Sequence, residues 1–183
     1  MFSEIDLAPT TASADEPSID DMEDLIQDLG DRDVTTRKDA RRMLQRLGRA
    51  ATPALTEALK DPKEHVRWEA MQALRCIEDP RAAPALIQAM DDSEPAVRWL
   101  AARALVALGR DALEPVLLEL EQGTNDAWIR TGVHHVLHAL LEKGAVDSEE
   151  VEPVLEALEN LEPRVEAPVA AYHALRKLRG ESS

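Results

Sequence analysis

Residues 66–74, VRWEAMQAL, return 31 residues later as residues 97–105, VRWLAARAL. A fixed period of this size indicates that one supersecondary unit has been copied and stacked. Within the unit, apolar residues follow the first one at offsets of 4, 7, 8 and 11, which places them on one stripe of an α-helix. The stretch therefore predicts a helix that packs between equivalent helices.

Five copies of this stripe follow one another along the chain. Their central leucines are Leu44, Leu74, Leu105, Leu137 and Leu175. Four shorter segments, each predicted to begin at a proline in the first helical position, separate them. These prolines are Pro53, Pro84, Pro115 and Pro153. The pattern predicts an all-α, right-handed α-α superhelix of about five helix-turn-helix repeats.

The predicted repeat domain covers residues 18–179 and starts with a capping N-terminal helix that has no partner of its own. Residues 1–17 contain acidic residues, Pro9 and Pro17 and few apolar side chains, so we expect a disordered acidic tail. Residues 180–183 are predicted to be a short C-terminal tail.

The 183-residue chain has 36 acidic and 21 basic side chains, a net charge of −15. Most of such a surface should repel phosphate backbones, which argues against nucleic-acid binding. The start of the chain lacks the features of a secretory signal, and no apolar stretch reaches the ~20 residues of a membrane span. A single cysteine, Cys76, excludes an internal disulfide, and we interpret it as an inert packing residue. We expect a cytoplasmic protein without membrane contact.

Several features accompany the central leucines, most fully in the two middle repeats of Leu74 and Leu105: an aspartate before the helix, then Val-Arg and Ala-Leu, and then a Pro-Ala-Leu helix. Over about residues 19–179 this pattern resembles HEAT repeats of the short type named after phycobilisome lyases. The resemblance implies a HEAT-like solenoid with an Asp–Arg ladder between neighbouring repeats. The ladder residues would be Asp31, Arg37, Asp61, Arg67, Asp92 and Arg98. Because the pair recurs once per hairpin, we interpret it as structural rather than catalytic. The fourth copy departs from the pattern, with Thr124 in place of the aspartate.

Catalytic interpretations find little support in the residues. His134 and His138 have the i, i+4 spacing of metal ligands but lack an evident third ligand, so a solvated helix face is the better interpretation. The His-Glu pairs of deoxyhypusine hydroxylases, another HEAT-like group, are missing, and the acidic charge argues against a DNA glycosylase. We therefore predict no metal and no cofactor. Bilin lyases share the repeat type without a short diagnostic motif, and a bilin lyase or lyase subunit remains the alternative.

Two rows of side chains are candidates for protein binding. Trp68, Trp99 and Trp128 lie off the apolar stripe and would form an outward aromatic row, unless each folds back on the preceding turn. The second row occupies matching slots of the short helices, which are expected to line the concave face. It consists of Glu57, Gln88 and Glu119. This row predicts a polar to acidic groove for a partner with a basic surface, or else a merely solvated face.

The acidic segment 1–31 precedes a basic helix at 32–49. The two segments either cancel charge locally or allow the tail to shield a docking patch. Taken together, the sequence favours a non-enzymatic protein-protein interaction module or scaffold.

Overall fold

The computed structural model describes residues 21–123, 126–160 and 162–181. These residues form ten α-helices. They are α1 (Met22–Asp28), α2 (Val34–Leu47), α3 (Thr52–Ala58), α4 (Glu64–Ile77), α5 (Ala83–Gln88), α6 (Pro95–Ala107), α7 (Leu113–Glu121), α8 (Ala127–Glu142), α9 (Ser148–Glu159) and α10 (Pro163–Leu178). The described part contains no strand, and the predicted all-α solenoid is confirmed.

The tail predicted at residues 1–17 lies outside the described residues, as do residues 182 and 183 of the predicted C-terminal tail. Among the helices that the structure does describe, none is both long and apolar enough to cross a membrane.

The long helices α2, α4, α6 and α8 stack side by side. The central leucines of all five copies of the stripe are buried. They are Leu44, Leu74, Leu105, Leu137 and Leu175. Small buried residues one turn earlier, such as Ala40, Ala70 and Ala101, allow neighbouring helices to approach closely. Complete burial of each leucine stabilises the stack by about 1.5–3 kcal/mol before the entropy cost of ordering the chain.

The short helices form the second layer. α1 packs against α2 and α3, and its terminal Leu29 is buried like Leu59 and Met90 at the equivalent places after α3 and α5. α1 therefore occupies the position of a short helix from a preceding repeat. Pro53 and Pro84 lie in the first two positions of α3 and α5, which agrees with the predicted helix starts.

α9 corrects the predicted start of the fourth short helix. It begins at Ser148 rather than at Pro153, which lies inside the helix, and a capping box formed by Asp147 and Glu150 closes its N-terminus. The longer spacing before the last repeat thus supplies an extra first turn of α9. Because Pro153 has no N–H to donate, the carbonyl of Glu149 loses its usual helical partner. Lys177 Nζ of α10 lies 3.4 Å from that carbonyl oxygen.

The two layers differ in the extent of their contacts. Successive long helices share larger contacts with one another than successive short helices do. The small residues between the long helices allow these contacts. That the short helices line the concave face stays a prediction.

The last helix leaves the regular pattern. α10 packs mainly against α7 and α9 instead of extending the row of long helices. Ion pairs support this position: Arg179 contacts Glu114 of α7 at 2.8 Å, and Lys177 contacts Glu149 of α9 at 3.0 Å. α10 therefore closes the C-terminal end of the solenoid.

Candidate functional site

Two of the three tryptophans are prominently exposed. Trp99 of α6 and Trp128 of α8 have 53% and 55% of their surface accessible. Trp68 of α4 is half-buried and packs against the core, with the guanidinium of Arg41 5.9 Å from its ring centre. The aromatic row predicted from the sequence is therefore reduced to Trp99 and Trp128. Trp68 departs from it because neighbouring side chains cover its ring.

Trp99 and Trp128 lie in one groove of about 330 Å³ between α6 and α8. Its walls and floor come from the loop before α6 and from both helices. They are Met90, Pro95, Arg98, Trp99, Ala102, Trp128, Thr131, Gly132 and His135. Ala102 and Gly132 leave room because they carry almost no side chain. A Cβ at Gly132 would meet Met90 Sδ at 2.5 Å, so glycine permits the close approach of α8.

Ring and cation contacts hold the two tryptophans. The ring centre of Trp99 lies 4.8 Å from that of His135, and the guanidinium of Arg98 lies 4.2 Å from the ring centre of Trp128. Arg98 Nη1 also donates to the carbonyl oxygens of Asp92 and Ser93 at 2.7 and 3.2 Å. These hydrogen bonds fix the cation over the indole, so that the groove is already formed before any partner binds.

The N-terminus of α8 fixes Trp128. Asp126 accepts hydrogen bonds from the backbone amides of Trp128 and Ile129 at 2.6 and 3.1 Å. The amide of Ile129 and then that of Trp128 hold the pKa of Asp126 below its usual value, and desolvation opposes them. An aspartate two residues after Thr124 therefore caps α8, which the sequence comparison of the repeats did not reveal.

The short-helix candidates lie apart from this groove. Glu57 of α3 is exposed and contacts Lys60 at 2.7 Å, Gln88 of α5 is exposed, and Glu119 of α7 is half-buried. They lie on the opposite layer of the solenoid and are not brought together with Trp99 or Trp128.

The ladder residues make two kinds of contact. Each arginine donates Nη1 to the carbonyl of the aspartate that precedes its own helix: Arg37 to Asp31, Arg67 to Asp61 and Arg98 to Asp92, at 2.7–2.9 Å. Each aspartate carboxylate accepts the backbone N–H two residues later. The turns before α2, α4 and α6 are therefore closed in the same way.

Among the ladder residues that the structure describes, one pair forms a bidentate bridge between repeats. Arg67 Nε and Nη2 donate to the two carboxylate oxygens of Asp92 at 2.6 and 2.8 Å. Desolvation alone would raise the pKa of Asp92, but the hydrogen bonds from Arg67 and from the amide of Glu94 outweigh it and lower that pKa. The carboxylate is therefore charged at neutral pH and binds the arginine of the preceding repeat.

At Arg37 the ladder contact is replaced. Its Nε is buried without a hydrogen-bond acceptor in the described structure and lies 3.9 Å from Glu69 of α4. Glu69 is almost fully buried and binds Arg41 at 2.6 Å. The same slot holds Asp39 in α2 but Leu100 in α6 and Gly132 in α8, and Glu69 was not singled out from the sequence.

The other reactive side chains have ordinary partners. His134 Nε2 lies 2.9 Å from Glu159, and His138 Nδ1 lies 3.6 Å from Glu142. Over the residues that the structure describes, no three His, Cys, Asp or Glu side chains form a group that could hold a metal. Cys76 is exposed, so its interpretation as a buried packing residue is wrong. It lies two residues after the central Leu74, on a slot that faces away from the core.

A second groove, of about 560 Å³, lies between α9 and α10. On its α10 side, Val165 and Val169 are exposed, and Tyr172 is exposed one turn further on. This apolar surface lies at the end of the stack, where the regular repeat pattern stops.

The two-layered stack of helical hairpins, with an open groove on one layer, defines an α-solenoid repeat protein. The chain belongs to the HEAT-repeat family, whose model matches residues 22–95 and 83–176. No curated protein matches the sequence.

Solved structures with a similar fold include engineered proteins. Two are engineered proteins from the Northeast Structural Genomics Consortium, 17% and 19% identical, with TM-scores of 0.43 and 0.41. The alignments cover 91% and 90% of this chain and 86% and 87% of those chains. A third is a designed armadillo repeat protein in complex with the peptide (KR)4, 17% identical over 87% of each chain, with a TM-score of 0.41.

Proposed function

We propose that this HEAT-repeat protein is a non-enzymatic protein-interaction module or scaffold that binds its partner at the groove of Trp99 and Trp128. The observation that carries the proposal is the pair of adjacent indoles, each more than half exposed. Leaving two large aromatic rings in water forfeits the stabilisation that their burial would give. Tryptophan and arginine are also the side chains that most often dominate binding energy at protein interfaces.

The groove supports binding better than catalysis. The ring of His135 contacts that of Trp99 at a tilted angle, and Arg98 lies over Trp128 and donates to backbone carbonyls. Its charged and aromatic groups are thus arranged as a rigid contact surface and not as a nucleophile with its base.

We also propose that the repeats are of the short phycobilisome-lyase-like type, which the 31-residue period and the recurring Asp–Arg turns support. On this proposal the repeat domain spans residues 18–179, the protein is cytoplasmic, and it works without cofactor, metal, membrane or nucleic acid. A basic surface of the partner would suit the short-helix side, where Glu57 and Glu119 lie.

The test is affinity capture from native extract, followed by measurement of Kd for the purified partner. We expect Trp99→Ala with Trp128→Ala to weaken binding by about 30-fold or more, the loss of a ~2 kcal/mol hot spot. Because both rings point to solvent, circular dichroism should show an unchanged fold.

The matched control is Val165→Ala with Val169→Ala, which removes exposed apolar surface from α10. It should leave Kd unchanged. An unchanged Kd in the tryptophan variant would contradict the proposed site. A shift of bilin absorbance on mixing with the protein would favour the bilin lyase alternative.

A further inference from the structure

The two layers of the solenoid have opposite charge. The short helices α1, α3, α5, α7 and α9 contain no Lys or Arg, and all of them except α5 contain Asp or Glu. We define the long-helix face by three positions in each of α2, α4, α6 and α8. They lie six residues before, two residues before and one residue after the central leucine, and they point away from the apolar stripe. The residues of the face are Lys38, Arg42, Gln45, Trp68, Gln72, Arg75, Trp99, Arg103, Val106, Thr131, His135 and His138, of which Val106 is buried. This face contains no Asp or Glu, although acidic residues outnumber basic ones in the chain.

The cations of the long-helix face are available to a partner. Arg103 is exposed and has no carboxylate partner in the described residues. Arg75 donates to the neutral amide oxygen of Gln72 at 3.3 and 3.4 Å. Arg42 pairs with Asp39 at 3.0 Å, but both side chains are more than half exposed, so water screens this pair.

Neighbouring carboxylates offset part of this charge. Glu69 of α4 is buried and already binds Arg41 at 2.6 Å, but Glu64 at the start of α4 and Glu142 at the end of α8 are exposed beside the face. Arg103 of α6 lies between them without a carboxylate partner in the described residues. A surface lined by one sign of charge attracts a partner of the opposite sign and speeds its association.

We infer that the partner occupies the long-helix face with an acidic, extended peptide segment that also contains apolar side chains. This inference rests on the proposed function. Carboxylates would pair with Arg42, Arg75 and Arg103, and apolar side chains would enter the groove of Trp99 and Trp128. Packed helices lie about 8–10 Å apart, and an extended chain advances about 3.3 Å per residue. A segment of about nine residues therefore spans the long helices from α2 to α8.

A long polyanion such as a nucleic acid fits less well. It would pass beyond this face onto the short-helix layer and α9, where Glu149, Glu152 and Glu156 are exposed. A short acidic segment can end inside the cationic surface and avoid this repulsion.

The test uses the full chain and a fluorescein-labelled peptide of about nine residues in which Glu alternates with Leu. Fluorescence anisotropy measures Kd at low and high salt. We expect binding that weakens with salt, and a loss of about tenfold with Arg103→Glu. The matched control is Arg164→Glu, the same charge change at an exposed position of α10. It should leave Kd unchanged, and a peptide with Lys in place of Glu should not bind.

Three results would overturn the inference: no binding of the acidic peptide, equal effects of the two arginine variants, or tighter binding of an oligothymidine of equal charge. If the protein forms a salt-sensitive dimer that Arg103→Glu dissociates, the occupant of the long-helix face is a second copy of the chain, and the peptide inference is wrong. If the acidic peptide does not bind but a captured partner still requires Trp99 and Trp128 for binding, the proposed function stands, and the inferred acidic charge of the partner is wrong.

Discussion

Arg67 and Arg98 occupy the same slot of successive repeats but make different contacts. Both close the turn before their own helix through Nη1, yet Arg67 alone of the two binds a carboxylate of the next repeat in the described residues. The guanidinium of Arg98 instead lies over Trp128. One arginine therefore links two repeats, and the other supports the candidate binding surface.

This difference predicts unequal stability effects. Arg67→Ala should lower the free energy of unfolding by about 3 kcal/mol, because it strands the nearly buried carboxylate of Asp92. Arg98→Ala should cost about 1–2 kcal/mol, since it removes hydrogen bonds to carbonyls and an exposed cation–π contact. Urea unfolding of the two variants measures both values. Equal losses would show that the bridge to Asp92 contributes little.

Single residues also show which features could be predicted from the sequence and which could not. The apolar stripe predicted the burial of Leu74 and Leu105, because the helical period depends on the order of residues alone. It did not predict that Trp68 and Trp99, in identical slots, would differ in exposure. That difference depends on neighbouring helices: Arg41 covers one ring, whereas Gly132 places no side chain beside the other.

At the scale of helices, α2, α4 and α6 are each followed by a residue with positive φ. Gly48 and Gly109 have φ of 60° and 62°, and Glu78 occupies the equivalent place after α4 with φ of 52°. Glycine adopts this conformation without steric cost, whereas a residue with a Cβ is strained there. The residue that follows α4 therefore has a less favourable backbone conformation than the residues that follow α2 and α6.

Exchanging these residues should shift stability in opposite directions. Glu78→Gly should raise the free energy of unfolding by up to about 1 kcal/mol, and Gly109→Ala should lower it by about 1 kcal/mol. Nothing lies within 4 Å of a Cβ at Gly109, so the loss reports backbone strain and not a clash. Thermal and urea unfolding provide the measurement, and a destabilised Glu78→Gly would contradict the argument.

Helix boundaries were predictable where local chemistry decides them. Pro53 and Pro84 lie at helix starts as expected, but Pro153 does not, because the capping box of Asp147 and Glu150 begins α9 one turn and a half earlier. The position of α10 could not be predicted at all. Its stripe repeats that of the other long helices, while its packing against α7 depends on contacts far apart in sequence.

At the scale of the whole molecule, the long-helix face is cationic and aromatic, and the short-helix layer is anionic. The net charge of −15 conceals this division. The basic partner was predicted from Glu57, Gln88 and Glu119, which all belong to the short-helix layer. The charge that a partner meets depends on which layer it approaches, because screening limits each field to about 8 Å at physiological ionic strength. The same chain can therefore present both an acidic and a basic docking side.

The C-terminal closure predicts how the solenoid opens. Terminal repeats usually fray, because each repeat contacts its neighbours alone. α10 packs on α7 as well as α9, and Arg179 binds Glu114, so we expect the amides of α10 and α7 to exchange hydrogen together.

Leu175→Ala, at a buried position, should lower the protection of both helices by about 2–5 kcal/mol. The exposed control Val169→Ala should change neither. If the amides of α10 exchange fast while those of α7 remain fully protected, α10 opens independently of α7, and the predicted coupling is wrong.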